Sequence, residues 1–95
     1  MMSYFTISNW EADDWNEEME AMARDQFAPL IMKLGAESVD FIQTGDLTFS
    51  VVTKYTDEAS GVAAMQKIAE IRGQAATALP VRMTSDVRGS AFVSS

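Results

Sequence analysis

The sequence predicts an α+β fold in which four antiparallel strands form one sheet and two helices cover one of its faces. Three observations carry this expectation. Segments with apolar residues at every second position alternate with segments whose apolar residues recur at helical spacing, in the order strand, helix, strand, strand, helix, strand. The stretch "DLTFSVVTKY" (residues 46–55) alternates throughout, with Leu47, Phe49, Val51, Thr53 and Tyr55 on one side and Thr48, Ser50, Val52 and Lys54 on the other. At 95 residues the chain has the length of a single domain, expected to span residues 1–95.

The first strand is expected over residues 2–9. Met2, Tyr4, Thr6 and Ser8 share one face; Ser3, Phe5, Ile7 and Asn9 share the other. "EADDW" starts a helix, with Asp13 or Asp14 as N-cap and Glu17 in the first turn. Trp15, Met19, Met22, Phe27, Leu30, Ile31 and Leu34 form its apolar stripe. Pro29 interrupts that stripe. Its ring clashes with the preceding turn and it lacks an N–H, which predicts a kink or break near residues 25–28. Gly35 supplies a left-handed cap.

"ESVDFIQT" reads as a second strand, with Val39 and Phe41 opposite Ser38, Asp40 and Ile42. "TGD" (44–46) turns it into the strand quoted above, forming a hairpin. "TDEASG" starts the second helix, with Thr56 as cap and Asp57 and Glu58 in the first turn. Val62, Met65, Ile68, Ala69, Ile71, Ala75, Ala76 and Leu79 give it a broad apolar face whose alanines permit close approach to a sheet. The helix is expected to stop at Gly73 or run on to about residue 78, and Pro80 closes it. "VRMTSDVRGSAFVSS" is read as two short extended stretches about Asp86–Gly89, with "SAFVS" as an edge strand.

The order βαββαβ is that of a ferredoxin-like plait, in which right-handed crossovers put both helices on one face. Phe5, Ile7, Val39, Phe41, Phe49 and Val51 are expected to face the helices. The bare face then carries Tyr4, Thr6, Ser8, Ser38, Asp40, Ile42, Ser50, Val52 and Lys54. That set is too polar for a core and too sparsely charged for an ordinary solvent face. The expectation is a homodimer in which two such faces pack together and enclose a semi-polar cavity, since small domains gain stability by covering an open face. The competing reading is a monomer with this face hydrated.

Composition excludes several functions. The chain carries 14 acidic and 7 basic residues, with a net charge of −7. Half of the acids, Glu11, Asp13, Asp14, Glu17, Glu18, Glu20 and Asp25, fall within fifteen residues. Such a field repels phosphate backbones and anionic lipid, so neither nucleic acid nor a membrane is an expected partner. The cluster reads as a solvated helix face, and no metal site is expected of it. With no cysteine and no histidine, thiolate chemistry and Ser–His or Cys–His machinery are impossible. "MMSYFTISNW" lacks the basic region and cleavage site of a signal peptide, and the expected compartment is the cytoplasm.

The segments "YFTISNW" and "APLIMKLGAESVDFIQTGDLTFSVVTKYTDEASGVAAMQKIAEIR" resemble the dimeric α+β barrel superfamily. They are most similar to its small antibiotic-biosynthesis-monooxygenase-like members and their uncharacterised bacterial relatives. The shared signals are the proline late in the first helix, "LGA" before the second strand, and "YTDEA" opening a helix that runs through "IAEIR". The resemblance implies a homodimer whose sheets form a barrel, with a pocket between each sheet and its helices or loops. It also implies oxygenase-like or isomerase-like activity on a small hydrophobic or aromatic metabolite, without a cofactor. In cofactor-free members Asn, Trp, Tyr and Arg hold an electron-rich substrate that itself reduces dioxygen. Haem degradation, which often takes a histidine ligand, does not suit this chain. Residues of those types here are Asn9, Trp10, Tyr4, Tyr55, Arg82 and Arg88. A plainer role for Trp10 is packing of the first helix on the sheet, and for Tyr55 packing beside the second helix. Asp40, mid-strand on the second face, is the candidate for proton transfer if that face is enclosed; a cross-strand pair with Lys54 is the simpler account. The alternative to an enzyme is a non-catalytic ligand-binding or structural dimer module.

Overall fold

The computed structural model describes residues 2–95. β1 is Tyr4–Ala12, β2 Ser38–Gly45, β3 Thr48–Tyr55 and β4 Val81–Ser90. They form one sheet in the order β2-β3-β1-β4, with every neighbouring pair antiparallel. The first helical segment comprises α1 (Glu17–Met22), a π-helical turn (Ala23–Phe27) and α2 (Ala28–Met32). The second is α3 (Glu58–Ala78). The architecture is the expected α+β plait, its two helical segments on one face. No helix among the described residues is long and apolar enough to cross a membrane.

The break in the first helix lies where Pro29 requires it. A proline cannot donate to the turn before it, and the chain responds by widening: Ala28 N–H reaches back to Ala23 O, five residues away. The N-caps differ from expectation. Asn16, rather than Asp13 or Asp14, accepts from Met19 N–H at 2.9 Å, and Asp14 braces Asn16 through Nδ2 at 3.3 Å. Asp57, rather than Thr56, caps α3 by accepting from Ser60 N–H at 2.9 Å. Gly35 takes the expected left-handed conformation, at φ 94°. Helix α3 continues through Gly73 to Ala78.

The faces of β1 are the reverse of those expected. Tyr4, Thr6, Ser8, Trp10 and Ala12 are buried beneath the helices, whereas Phe5, Ile7, Asn9 and Glu11 lie on the open face. Register confirms this: Tyr4, Thr6, Ser8 and Trp10 pair with Tyr55, Thr53, Val51 and Phe49, the correctly assigned inner row of β3. Directly paired antiparallel residues project to the same side. The tail also differs. One continuous strand runs from Val81 to Ser90, and the rest of "SAFVS", residues 91–94, is no strand. An edge strand held by its ladder to β1 needs no apolar face, so its polar sequence does not interrupt it. A bulge opposite Asn9 and Trp10 bends β4, with Thr84 Oγ1 donating to Asn9 O at 3.1 Å.

The core joins Tyr4, Trp10, Ala12, Val51 and Tyr55 from the sheet to Met19, Ile31, Ala64 and Ile68 from the helices. Trp10, Val51, Met19, Ile31 and Ile68 of this core also border a cavity left in the inner layer.

Candidate functional site

Threonine and serine where a core would place valine leave space. Thr6, Ser8 and Thr53 are buried yet small, and they floor a cavity of about 420 Å³ between sheet and helices. Trp10, Phe41, Phe49 and Val51 extend the floor. Trp15, Met19, Phe27 and Ile31 wall it from the first helical segment, and Ile68, Ile71 and Ala75 from α3. The π turn contributes Ala23 and Arg24 at the rim. The cavity lies between the sheet and its own helices, where the resemblance implies a pocket, and the reversed faces of β1 supply its hydroxyl floor.

Aromatic geometry gives this cavity a flat wall. Trp10 and Phe49 are cross-strand partners, and their rings stack at 5.9 Å with planes 7° apart. Trp15 meets Phe49 edge-on, at 5.7 Å and 66°. Both indoles are fixed by their N–H groups: Trp10 Nε1 donates to Ser8 Oγ at 2.8 Å, and Trp15 Nε1 donates to Glu20 Oε2 at 2.8 Å. Ser8 has thus accepted a bond and keeps its own hydroxyl proton for another partner.

Charge enters at few points. Glu20 and Arg24 stand at the exposed side, where Arg24 pairs with Asp25 through Nε at 3.0 Å and Nη2 at 3.1 Å. Arg72 is deeper. Its side chain is 17% exposed and Nη1 donates to Asp86 Oδ2 at 3.1 Å. Asp86 is the register partner of Ser8, so the guanidinium lies level with Ser8 on the sheet.

Of the residues singled out from sequence, Trp10 alone lines the cavity. Tyr4 and Tyr55 face the helices but are buried core residues, and Arg88 is an exposed residue of the edge strand. Asn9, Asp40 and Arg82 belong to the opposite side of the sheet. Asn9 Oδ1 accepts from Ser50 Oγ at 2.6 Å and its Nδ2 donates to Ser85 Oγ at 3.1 Å. Arg82 binds Glu11 and Asp13, at 2.7 and 2.9 Å. Asp40 is exposed opposite Val52, and the expected pair with Lys54 is not formed: Lys54 lies opposite Ser38 and approaches Glu37 at 3.8 Å. Sequence reasoning missed Arg72, although a signal exists. It follows Ile68 by four residues and Ile71 by one, so it is a charge within the apolar stripe of α3.

No protein-family model matches the sequence, and no match is found among curated proteins. Solved structures do match. One is the NE2512 protein of unknown function from Nitrosomonas europaea, at 21% identity and TM-score 0.73, covering 100% of this chain and 94% of that one. A dimeric ferredoxin-like protein from an uncultured marine organism matches at 12% identity and TM-score 0.67, covering 100% of both chains. SnoaB, a cofactor-independent oxygenase from Streptomyces nogalater, matches at 12% identity and TM-score 0.68, covering 98% of this chain and 94% of that one. Ferredoxin-like and oxygenase descriptions are thus found among these structural neighbours, as the resemblance implies. At such identities the likeness is one of fold.

Proposed function

We propose that this chain binds a small planar aromatic metabolite in the sheet–helix cavity and oxidises it with dioxygen, without a cofactor. The observation that carries the proposal is the slot made by the Trp10–Phe49 stack and the Trp15 edge over a floor of small hydroxyl residues. Aromatic walls with a few placed polar groups suit a flat apolar ligand. The structural likeness to a cofactor-independent oxygenase supports the chemistry. A substrate with an acidic CH₂ beside fused rings supplies the electrons itself. Two C–H bonds break, the carbon loses four electrons and becomes a carbonyl, and dioxygen provides one oxygen to product and one to water.

A homodimer belongs to the same proposal. The open face groups Phe5, Ile7, Val52 and Val87, with Ile42 at 46% and Val87 at 58% exposure. The polar residues between them, Asn9, Ser50 and Ser85, are hydrogen-bonded to one another, so covering them leaves only the Ser85 hydroxyl proton and the second Asn9 Nδ2 proton of that network to be satisfied across the contact. The dimeric description of the marine ferredoxin-like protein supports it.

One observation favours binding without turnover. Glu20, the one carboxylate lining the cavity among the described residues, already accepts from Trp15 through Oε2, which leaves its other oxygen as the sole carboxylate base there. Anthrone, a three-ring compound with an acidic CH₂, separates the readings. An oxygenase quenches its tryptophan fluorescence on adding anthrone and yields anthraquinone labelled from ¹⁸O₂, faster than buffer alone. Quenching without label leaves the binding module. No quenching removes both.

A further inference from the structure

We infer that Arg72 is a specificity-determining residue that selects aromatic monoanions, carboxylates or phenolates, over neutral aromatic ligands. The inference rests on the cavity's being the ligand site and adds the class of ligand it takes. A chain of net charge −7 with seven basic residues places two of them, Arg24 and Arg72, in the cavity lining against one acid, Glu20. The cavity thus has the opposite balance to the protein around it. Arg24 is the less suited of the two, being 71% exposed at the side chain and doubly bonded to Asp25.

Arg72 has the geometry of an anchor. It stands among the apolar residues Ile68, Ile71 and Ala75, where water competes little for its charge. Its one side-chain hydrogen bond, from Nη1 to Asp86, leaves the other guanidinium donors for a ligand. Since Arg72 reaches Asp86 and Asp86 pairs with Ser8, the positive charge and the free Ser8 hydroxyl proton lie at one level of the sheet. Trp10 is two residues further along β1, a rise of about 6.8 Å. That offset suits a molecule whose rings lie against Trp10 and whose acidic oxygen projects toward Ser8 and Arg72.

The two tryptophans of the chain, Trp10 and Trp15, both line the cavity, so intrinsic fluorescence reads occupancy directly. The test titrates 2-naphthoate and uncharged 2-naphthylmethanol at physiological salt. Wild type is expected to bind the naphthoate at least about tenfold more tightly, the increment of one charge-assisted hydrogen bond. Arg72→Gln should erase that preference and leave the alcohol's affinity unchanged, while Arg72→Lys retains part of it. Asp86→Asn, which frees the guanidinium without touching the cavity floor, should tighten naphthoate binding and carries the test if Arg72→Gln does not fold. Equal binding of both probes by wild type, or an Asp86→Asn variant with unchanged naphthoate affinity, overturns the inference while the aromatic site stands. If neither probe quenches, the site itself is wrong and both readings fall.

Discussion

The ring of Tyr4 occupies the space that a side chain at Gly61 would need. A Cβ built there would collide with Cδ2 and stand 2.7 Å from Cε2. The missing side chain is what lets the first turns of α3 settle onto β1. Gly73, twelve residues along the same helix, has open space around its own missing Cβ. The two glycines should therefore respond oppositely to alanine. Gly73→Ala is expected to stabilise the protein by about 0.5–1 kcal/mol, the helix-propensity gain. Gly61→Ala gains the same propensity but overpacks a buried ring, at about 1–3 kcal/mol, for a net loss. Urea unfolding of the pair measures this; a stabilised Gly61→Ala variant would show that α3 is not seated on Tyr4.

Tyr55 is the most enclosed side chain, with 0% exposure, and its hydroxyl has no hydrogen-bond partner. Burial raises the phenol's pKa, and the charge of Arg72 offsets part of that rise. The linkage has one sign. A folded-state pKa above the unfolded value gives stability fully present below about pH 10, the ordinary tyrosine range, and lost as pH climbs toward the folded value. Tyr55→Phe removes both the unpaired hydroxyl and this alkaline sensitivity. It should leave stability unchanged or raise it by about 1 kcal/mol at neutral pH, since an unsatisfied buried group is relieved. Above pH 10 its margin over wild type should widen. A destabilised variant would mean that the hydroxyl has a partner, such as a buried water.

The inner row of β3 was legible from sequence, but that of β1 was not. In β3 the apolar residues Phe49, Val51 and Tyr55 sit on the inner face and outvote Thr53. In β1, Phe5 and Ile7 point outward, while Tyr4, Thr6 and Ser8 point in. Two physical facts invert the pattern: the inner face must leave room for a cavity, and the outer face carries apolar residues of its own. Carrying the alternation on to Trp10 and Ala12, which share the phase of Tyr4, Thr6 and Ser8, would have tipped the balance. The site followed the same course. Trp10 was legible as an aromatic at a strand's end, whereas the hydroxyl floor was assigned to the wrong side of the sheet. Arg72 depended on which turn of α3 overhangs Ser8, a relationship fixed by the tertiary fold.

Ser8 holds Trp10 in place from the cavity floor. The bond from Trp10 Nε1 to Ser8 Oγ is buried, and Trp10 is itself 5% exposed. Replacing Ser8 by alanine leaves a buried indole N–H without an acceptor, which costs about 1–3 kcal/mol. Thermal unfolding should show that loss. Ser8→Thr keeps the acceptor and should recover much of it, at the expense of cavity volume. Stability of Ser8→Ala equal to wild type would show that the indole is held by its stacking on Phe49 alone.

In the proposed homodimer, Ile7 is the residue on which dimerisation turns. It lies mid-sheet on the open face, with Val52 opposite it on β3 and Val87 opposite it on β4. Phe5 and the Asn9–Ser50–Ser85 network flank it along β1. A lysine there would place a charge at the centre of any sheet-to-sheet contact, beside the apolar Val52 and Val87. Hydrated in a monomer, the same lysine would cost little, because surface substitutions lie within about 0.5 kcal/mol. Light scattering should therefore give wild type twice the 10.4 kDa chain mass and Ile7→Lys the single mass. Circular dichroism should show the variant still folded at micromolar concentration, since its helices and cavity lie on the other side. A wild-type mass of one chain, or an Ile7→Lys variant that remains a dimer, would locate the contact elsewhere or abolish it.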